Sequence, residues 1–281
     1  MTDRLSSLWQ QRYRTPLPAP LETSQNAAPI CQSAVLDSLL SHRSVRAYRP
    51  DALPEGTLEA AIAAAQSAAT SSNLQCWSVI AIESSERREV FARLCGNQAH
   101  VAAAPLFLVW LADISRLERL ATQAGQPAEA LDYTESFLIA AIDAALAAQN
   151  AVAALEAAGL GTVYIGGLRN HPREVAKELD LPKGCVGLFG LCVGYEDETR
   201  PASIKPRLPQ RAVLHRDRYD TKQEAEAIAS FDAADNAFQQ EQSLPPRLWS
   251  EAMVKRVVSR EGLHGRDTLL ASLKVLGFPM K

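Results

Sequence analysis

The chain has 281 residues, room for one large domain or two small ones, and its 47% apolar and 22% charged content is that of a globular protein with a sizeable core. A formal charge of −3 excludes a general nucleic-acid binder, which carries a basic excess. Five cysteines (Cys31, Cys76, Cys95, Cys185, Cys192) without C-x-x-C spacing argue against a disulfide framework or a zinc site, and the N-terminus lacks an apolar leader run, so the expectation is a cytoplasmic protein with free thiols.

Residues 1–32 read as an N-terminal extension. Leu5 to Tyr13 suits a short helix; Pro18, Pro20 and Pro29 then favour extended chain, either an arm over a partner subunit or a disordered lead-in. Ser33 to Arg43 predicts an amphipathic helix, and Pro54 to Ser67 a second one with Pro54 near its first turn. A polar cluster, Thr70-Ser71-Ser72-Asn73, precedes a strand over Leu74–Ile82. Glu86 to Cys95 reads as helix, broken at Gly96-Asn97-Gln98, and Pro105–Ala112 as a buried strand. Asp113 to Asp132 reads as a polar helical excursion.

The longest signal follows. Glu135 to Glu156 is rich in Ala and Leu, residues that lose little entropy in a helix, and apolar side chains nearly encircle it. Such a helix is expected to be buried on every side. Asp143, Gln149 and Asn150 at its middle argue against a membrane span. Gly159-Leu160-Gly161 suits a helix C-cap, Thr162–Ile165 a strand, Pro172 the first turn of another helix, and Val186–Val193 a third apolar strand. Ile204 to Pro209 is an extended basic segment, and Thr221 to Lys281 carries two or three helices. Long helices interleaved with three or four strands indicate an α+β fold.

Few residues announce chemistry. The glycines do not make a dinucleotide fingerprint, because helix precedes strand here; Gly166-Gly167 is either a tight turn or a place where backbone approaches a flat ligand. His42-Arg43-Ser44-Val45-Arg46 gathers two guanidiniums, a hydroxyl and an imidazole, a donor set suited to phosphate. Lys205-Pro206-Arg207 could converge on the same anion. Either segment alone is ordinarily a solvated patch; the pair is informative only if the fold joins them. With no nucleophile elbow, Cys–His signature or metal motif, the hard chemistry falls to a bound cofactor.

The segments SHRSVRAY, LQCWSV, GNQAHV, AAQNAVAALEAAGLGTVYIGGLRN, LFGLCVGY and KPRLP, in this order over residues 33 to 220, resemble the FMN-dependent nitroreductase superfamily, most of all its oxygen-insensitive NADPH nitroreductase and flavin reductase branch. The resemblance implies an α+β sandwich with a central mixed sheet flanked by helices, working as an intertwined homodimer with FMN at the subunit interface. It divides the chain into the extension 1–32, an FMN-binding core 33–220 and a helical segment 221–281 completing the nicotinamide and substrate pocket.

It also implies the site. His42, Arg43, Ser44 and Arg46 would bind FMN, with Ser44, Lys205 and Arg207 on the phosphate and Arg46 near the pyrimidine edge. Gln98 would meet the ring's polar edge, and Tyr164, Gly166 and Gly167 would lie along the ring. Thr70, Ser71 and Ser72 would reach the flavin from the partner subunit, while Asn73, Arg247 and Arg266 would serve the nicotinamide or substrate. The implied cycle is ping-pong: NAD(P)H gives hydride to flavin N5, and nitroaromatics, quinones or free flavin then take it, with no side chain as acid or base, no metal, no nucleic acid and no membrane. The family's basic 2′-phosphate loop corresponds to Gln239–Trp249, which keeps Arg247 but carries Glu241 and Pro245-Pro246, so a reduced NADPH advantage over NADH is expected. A flavin-binding carrier or sensor with little turnover is the alternative.

Overall fold

The computed structural model describes residues 2–18, 21 and 28–281. The chain separates into two compact units, each discontinuous in sequence: residues 1–43 with 203–263, and residues 44–202 with 264–281.

The larger unit holds a four-stranded sheet of β1 (Trp77–Ile82), β2 (Leu106–Asp113), β3 (Gly161–Ile165) and β4 (Cys185–Gly194), in spatial order β1-β2-β4-β3. Every strand pair is antiparallel. The expected mixed sheet reduces, among the described residues, to one isolated parallel bridge between Ser44 and Thr162. Strand β2 is buried along its whole length, and its alternation divides the core. Phe107, Val109 and Leu111 join Val45, Phe91, Val163 and Ile165 on one face, while Leu106, Leu108 and Trp110 meet an alanine-lined layer on the other.

That layer belongs to a 24-residue helix, Thr134–Ala157, which packs with Thr57–Gln66 against the sheet. In chain order the helices are α1 (Thr2–Tyr13), α2 (Ala28–Cys31), α3 (Ala34–Leu40), α4 (Thr57–Gln66), α5 (Ser85–Leu94), α6 (Ala99–Ala103), α7 (Ser115–Gln123), α8 (Thr134–Ala157), α9 (Pro172–Glu178), α10 (Glu224–Glu241), α11 (Trp249–Val257) and α12 (Leu269–Val275). Ser33 and Ser84 cap α3 and α5 by accepting from backbone N–H groups of the first turn. Pro172 stands in the first turn of α9 as expected, but Pro54 lies three residues ahead of α4, whose N-cap is Gly56. Gly159, at φ +83°, takes the left-handed conformation that ends α8.

Helix α8 corrects one expectation. Ala140, Ala144, Ala147, Ala148 and Ala151 are buried, but Leu138, Ile142 and Leu146 stand 45–50% exposed at four-residue spacing. The single chain covers one face of this helix and leaves an apolar stripe on the other. The polar residues that interrupt its sequence are tethers. Asp143, 1% exposed, accepts from the backbone N–H groups of Ser71 (3.0 Å) and Cys76 (3.4 Å). The Asn150 amide donates to the Ala64 carbonyl of α4 at 3.3 Å, Gln149 accepts from the Tyr164 hydroxyl at 3.4 Å, and Glu156 accepts from Thr162 Oγ1 at 2.7 Å. It is a core helix by packing, although length and composition alone would let it cross a membrane.

In the smaller unit, the start of the chain is ordered structure. Helix α1 buries Leu5, Leu8 and Trp9, and Leu5 and Trp9 form a cluster with Leu17, against which Leu36 and Leu40 of α3 pack. The Trp9 and Tyr13 rings lie 4.4 Å apart, tilted by 40°. The short helix expected over Leu5–Tyr13 is present as part of α1; of the prolines expected in extended chain, Pro18 lies outside helix, Pro29 lies within α2, and Pro20 falls outside the described residues.

Candidate functional site

The segment after Arg43 is built into the sheet edge. The Val45 N–H donates to the Thr162 carbonyl at 2.9 Å, and a Cβ on Gly161 would lie 2.6 Å from Val45 Cγ2, so glycine is what lets the two backbones come this close. Further on, the Tyr48 hydroxyl donates to the Val45 carbonyl at 2.7 Å, the Arg49 N–H to Tyr195, and the Asp197 N–H to Ala47. Burial pushes the Tyr48 phenol far above its ordinary pKa, so it remains a hydrogen-bond donor. Ser44 and Arg46 are thereby held at a fixed register on the end of β3.

Arg46 is exposed, with one 3.4 Å hydrogen bond to the Ser44 carbonyl. No carboxylate among the described residues lies within ion-pair distance of it. Its field reaches His100 of α6, Tyr48 and Cys192. Burial first, and the Arg46 cation second, hold the His100 imidazole below its ordinary pKa, and its buried Nε2 has no hydrogen-bond partner among the described residues. Gln98, the N-cap of α6, donates from Nε2 to the Cys95 carbonyl at 2.7 Å.

The turn Gly166–Asn170 leaves β3 beside Gln98. Its two glycines differ. A Cβ on Gly167 would lie 2.3 Å from the Cys95 carbonyl oxygen and 2.6 Å from Gln98 Nε2, so this glycine is required by the chain's own packing. A Cβ on Gly166 would meet only the Arg169 guanidinium, at 3.5 Å. Arg169 donates to the Leu188 carbonyl at 2.6 Å, and Arg266 donates to Asn170 Oδ1 at 2.9 Å. Burial, then the Arg266 cation, lowers the Arg169 pKa, the mark of two guanidiniums sharing one locality.

Tyr164 does not join this group through its side chain. It leaves β3 on the α8 face, edge-on to Phe189 at 5.4 Å, while its neighbours Val163 and Ile165 enter the opposite core. The Thr70–Asn73 cluster also sits on the α8 side. Ser72, Asn73 and Gln75 all have positive φ (48°, 56° and 51°), a conformation costly for residues with a Cβ, and Asp143 fastens both ends of the turn.

In the smaller unit Arg12 links the start of one predicted basic segment, at His42, to the other, Lys205-Pro206-Arg207. Arg12 of α1, 5% exposed, donates to the carbonyls of Leu40 (2.9 Å), His42 (2.6 Å) and Lys205 (2.9 Å), and its own carbonyl accepts from the Arg207 N–H at 2.9 Å. Arg207 has only a 3.4 Å side-chain bond to the Pro206 carbonyl, and no carboxylate among the described residues pairs with it. Arg14 makes a two-pronged ion pair with Glu241 (2.8 and 2.7 Å), and Arg247 pairs with the buried Asp235 at 3.3 Å.

Sequence reasoning missed Arg12, Asp143, His100 and Arg169. Asp143 did leave a signal, as the lone acid at the centre of an apolar helix; Arg12 left none. The four thiols of the larger unit are buried and shifted upward by that burial, Cys76 to about 11, Cys95 and Cys185 to about 12, and Cys192 further still, so none is an activated nucleophile.

Comparison with known proteins gives the family. The nitroreductase family model matches residues 39–195, and the model of that family's C-terminal domain matches residues 205–281. The chain belongs to the nitroreductase family. It is 39% identical over 189 residues to an FMN reductase (NADPH) of Bacillus subtilis, an alignment spanning 66% of this chain and 74% of that protein. Its fold superposes on the solved structure of B. megaterium NfrA2 with a TM-score of 0.83 at 33% identity, covering 89% of this chain and all of the other. Against the NADPH:FMN oxidoreductase of Vibrio harveyi solved with NAD+, the TM-score is 0.77 at 33% identity, over 89% of this chain and all of that one.

The donor set fits FMN. Among the described residues no carboxylate pairs with Arg46 in the larger unit or with Arg207 in the smaller one, and an unpaired guanidinium of this kind suits an anion such as a flavin phosphate of roughly −1.5 to −2 charge, where a neutral or acidic residue would not.

Proposed function

We propose that this chain is an FMN-dependent NAD(P)H oxidoreductase that works as a homodimer and reduces small acceptors such as nitroaromatics, quinones or free flavin. The observation that carries this reading is that Arg12 joins the backbones of His42 and Lys205, so that two basic segments 162 positions apart in sequence (43 to 205) lie together and supply cations of the kind a phosphate needs. Bound FMN would supply two-electron chemistry, accepting hydride from a nicotinamide and giving it to the acceptor. The protein's part is binding, orientation and field. Ser44, Lys205 and Arg207 hold the phosphate, with His42 and Arg43 beside them. Arg46 sets a fixed positive charge against the pyrimidine edge, where reduction concentrates negative charge. Gln98 and the backbone of Tyr164 and Gly166 line the ring, with Arg169 and Arg266 in place to attract anionic or nitro-bearing substrates.

The apolar stripe Leu138, Ile142 and Leu146 supports the dimer, since a second copy of α8 would cover it. In that arrangement Thr70, Ser71, Ser72 and Asn73 serve the partner's flavin, consistent with their place on the α8 side. Sedimentation at micromolar concentration is expected to give a dimer; a monomer that still binds flavin would refute this arrangement. Five free cysteines support a cytoplasmic location.

The donor preference is the second expectation. In the Gln239–Trp249 segment the one arginine, Arg247, is engaged by buried Asp235, so no unengaged guanidinium of this segment meets a 2′-phosphate. The repulsion anticipated from Glu241 falls away, because Arg14 neutralises it. Anaerobic stopped-flow reduction of the FMN-loaded protein by NADPH and NADH tests both readings. Rapid bleaching by either donor, with rate constants per molar concentration within about tenfold of each other, is expected; tenfold is the weight of a single charge-assisted contact. Bleaching slower than any turnover would favour a flavin carrier, and a strong, salt-sensitive NADPH preference would overturn the donor prediction.

A further inference from the structure

We propose that Arg12 is a positioning residue for the flavin phosphate: from the N-terminal helix it fixes the backbones of both phosphate-binding segments without touching the phosphate. The proposal rests on the FMN reading above and goes beyond the family pattern, because the family models begin at residue 39 and α1 lies ahead of them. A buried guanidinium with three carbonyls around it is an expensive arrangement to assemble, and here two of these bonds run to the segments proposed to bind the phosphate and the third to Leu40 just ahead of one of them. Leu40 closes α3, so its carbonyl is one of those a helix end leaves unpaired, and a cation there is favourable.

The local geometry says how this positions the site. No cis peptide occurs among the described residues. In a trans peptide the N–H points opposite to the C=O, so holding the His42 carbonyl toward Arg12 fixes the Arg43 N–H in the opposite direction. On the other segment, the Lys205 carbonyl is held by Arg12 while the Arg207 N–H donates to Arg12's carbonyl. That second bond consumes the Arg207 N–H, and Pro206 has none, so position 207 can offer the phosphate only its side chain. Arg12 thus sets the spacing of Arg43, Lys205 and Arg207 and adds a fixed positive charge behind them.

Full-length protein stripped of flavin would be titrated with FMN and with riboflavin, which lacks the phosphate, for the wild type, Arg12→Met and Arg12→Lys. The expected result is an FMN dissociation constant at least about tenfold higher in Arg12→Met, the size that follows from losing hydrogen bonds to a charged donor, with riboflavin affinity unchanged within about twofold. Arg12→Lys, which keeps the charge and fewer donors, should fall between. FMN and riboflavin weakened equally would reveal a merely structural role and overturn the proposal, as would an unchanged preference for FMN. A wild type that binds the two flavins equally would instead overturn the phosphate reading on which the proposal rests. If Arg12→Met does not fold, Arg12→Lys carries the same comparison.

Discussion

Asp143→Ala is expected to lower stability by about 1–3 kcal/mol and to loosen the turn from Ser71 to Cys76, because it leaves the buried Cys76 N–H and the partly buried Ser71 N–H without their acceptor. The effect exceeds that of a lost surface polar group for two reasons. The carboxylate is 1% exposed, so water cannot easily take its place, and the turn it holds contains three residues in the left-handed region. Without the tether, Ser72, Asn73 and Gln75 relax toward ordinary backbone angles. Asp143→Asn keeps one acceptor and should lose less. Hydrogen exchange resolved to residues 71–76, read beside the thermal midpoint, checks this. Unchanged protection in Asp143→Ala would mean the carboxylate does not hold the turn. If the turn serves the partner's flavin, FMN affinity falls with it.

Gly167→Ala is expected to destabilise the fold by about 1–3 kcal/mol, the range for forcing extra volume into a packed interior. The new methyl would sit 2.3 Å from the Cys95 carbonyl and 2.6 Å from Gln98 Nε2, so either the turn leaves the end of α5 or the Gln98–Cys95 hydrogen bond breaks. Backbone cannot yield as a long side chain does. Gly166→Ala provides the contrast. Its methyl meets only the movable end of Arg169, so the fold should keep its stability, while FMN affinity drops if flavin lies against this backbone as proposed. Chemical denaturation and FMN titration of the two variants separate packing from binding. A Gly167→Ala protein as stable as the wild type would show that Cys95 does not crowd this position.

Much of this molecule is legible in one dimension. Period and composition locate all four strands and the principal helices to within a few residues, because hydrophobic alternation and helix propensity are local properties of the chain. The Gly159 cap is local chemistry too. The basic segments could be named as phosphate-binding candidates from their donors alone, and the order of motifs was enough to point to the family.

What a linear reading could not supply is which residues face one another. Gly167 reads as a ligand-facing glycine until Cys95, seventy-two positions earlier, is seen against it. Asp143 reads as an interruption of an apolar helix until the Ser71 and Cys76 N–H groups are found pointing at it. The exposed stripe of α8 has the same composition as its buried face, so only packing distinguishes them. Arg12 carries no local mark at all: its importance lies in three carbonyls, from Leu40, His42 and Lys205, that converge only when the chain has folded. Local preference writes the elements, and long-range hydrogen bonds and steric contact assign the roles, because both depend on distances that sequence spacing does not contain.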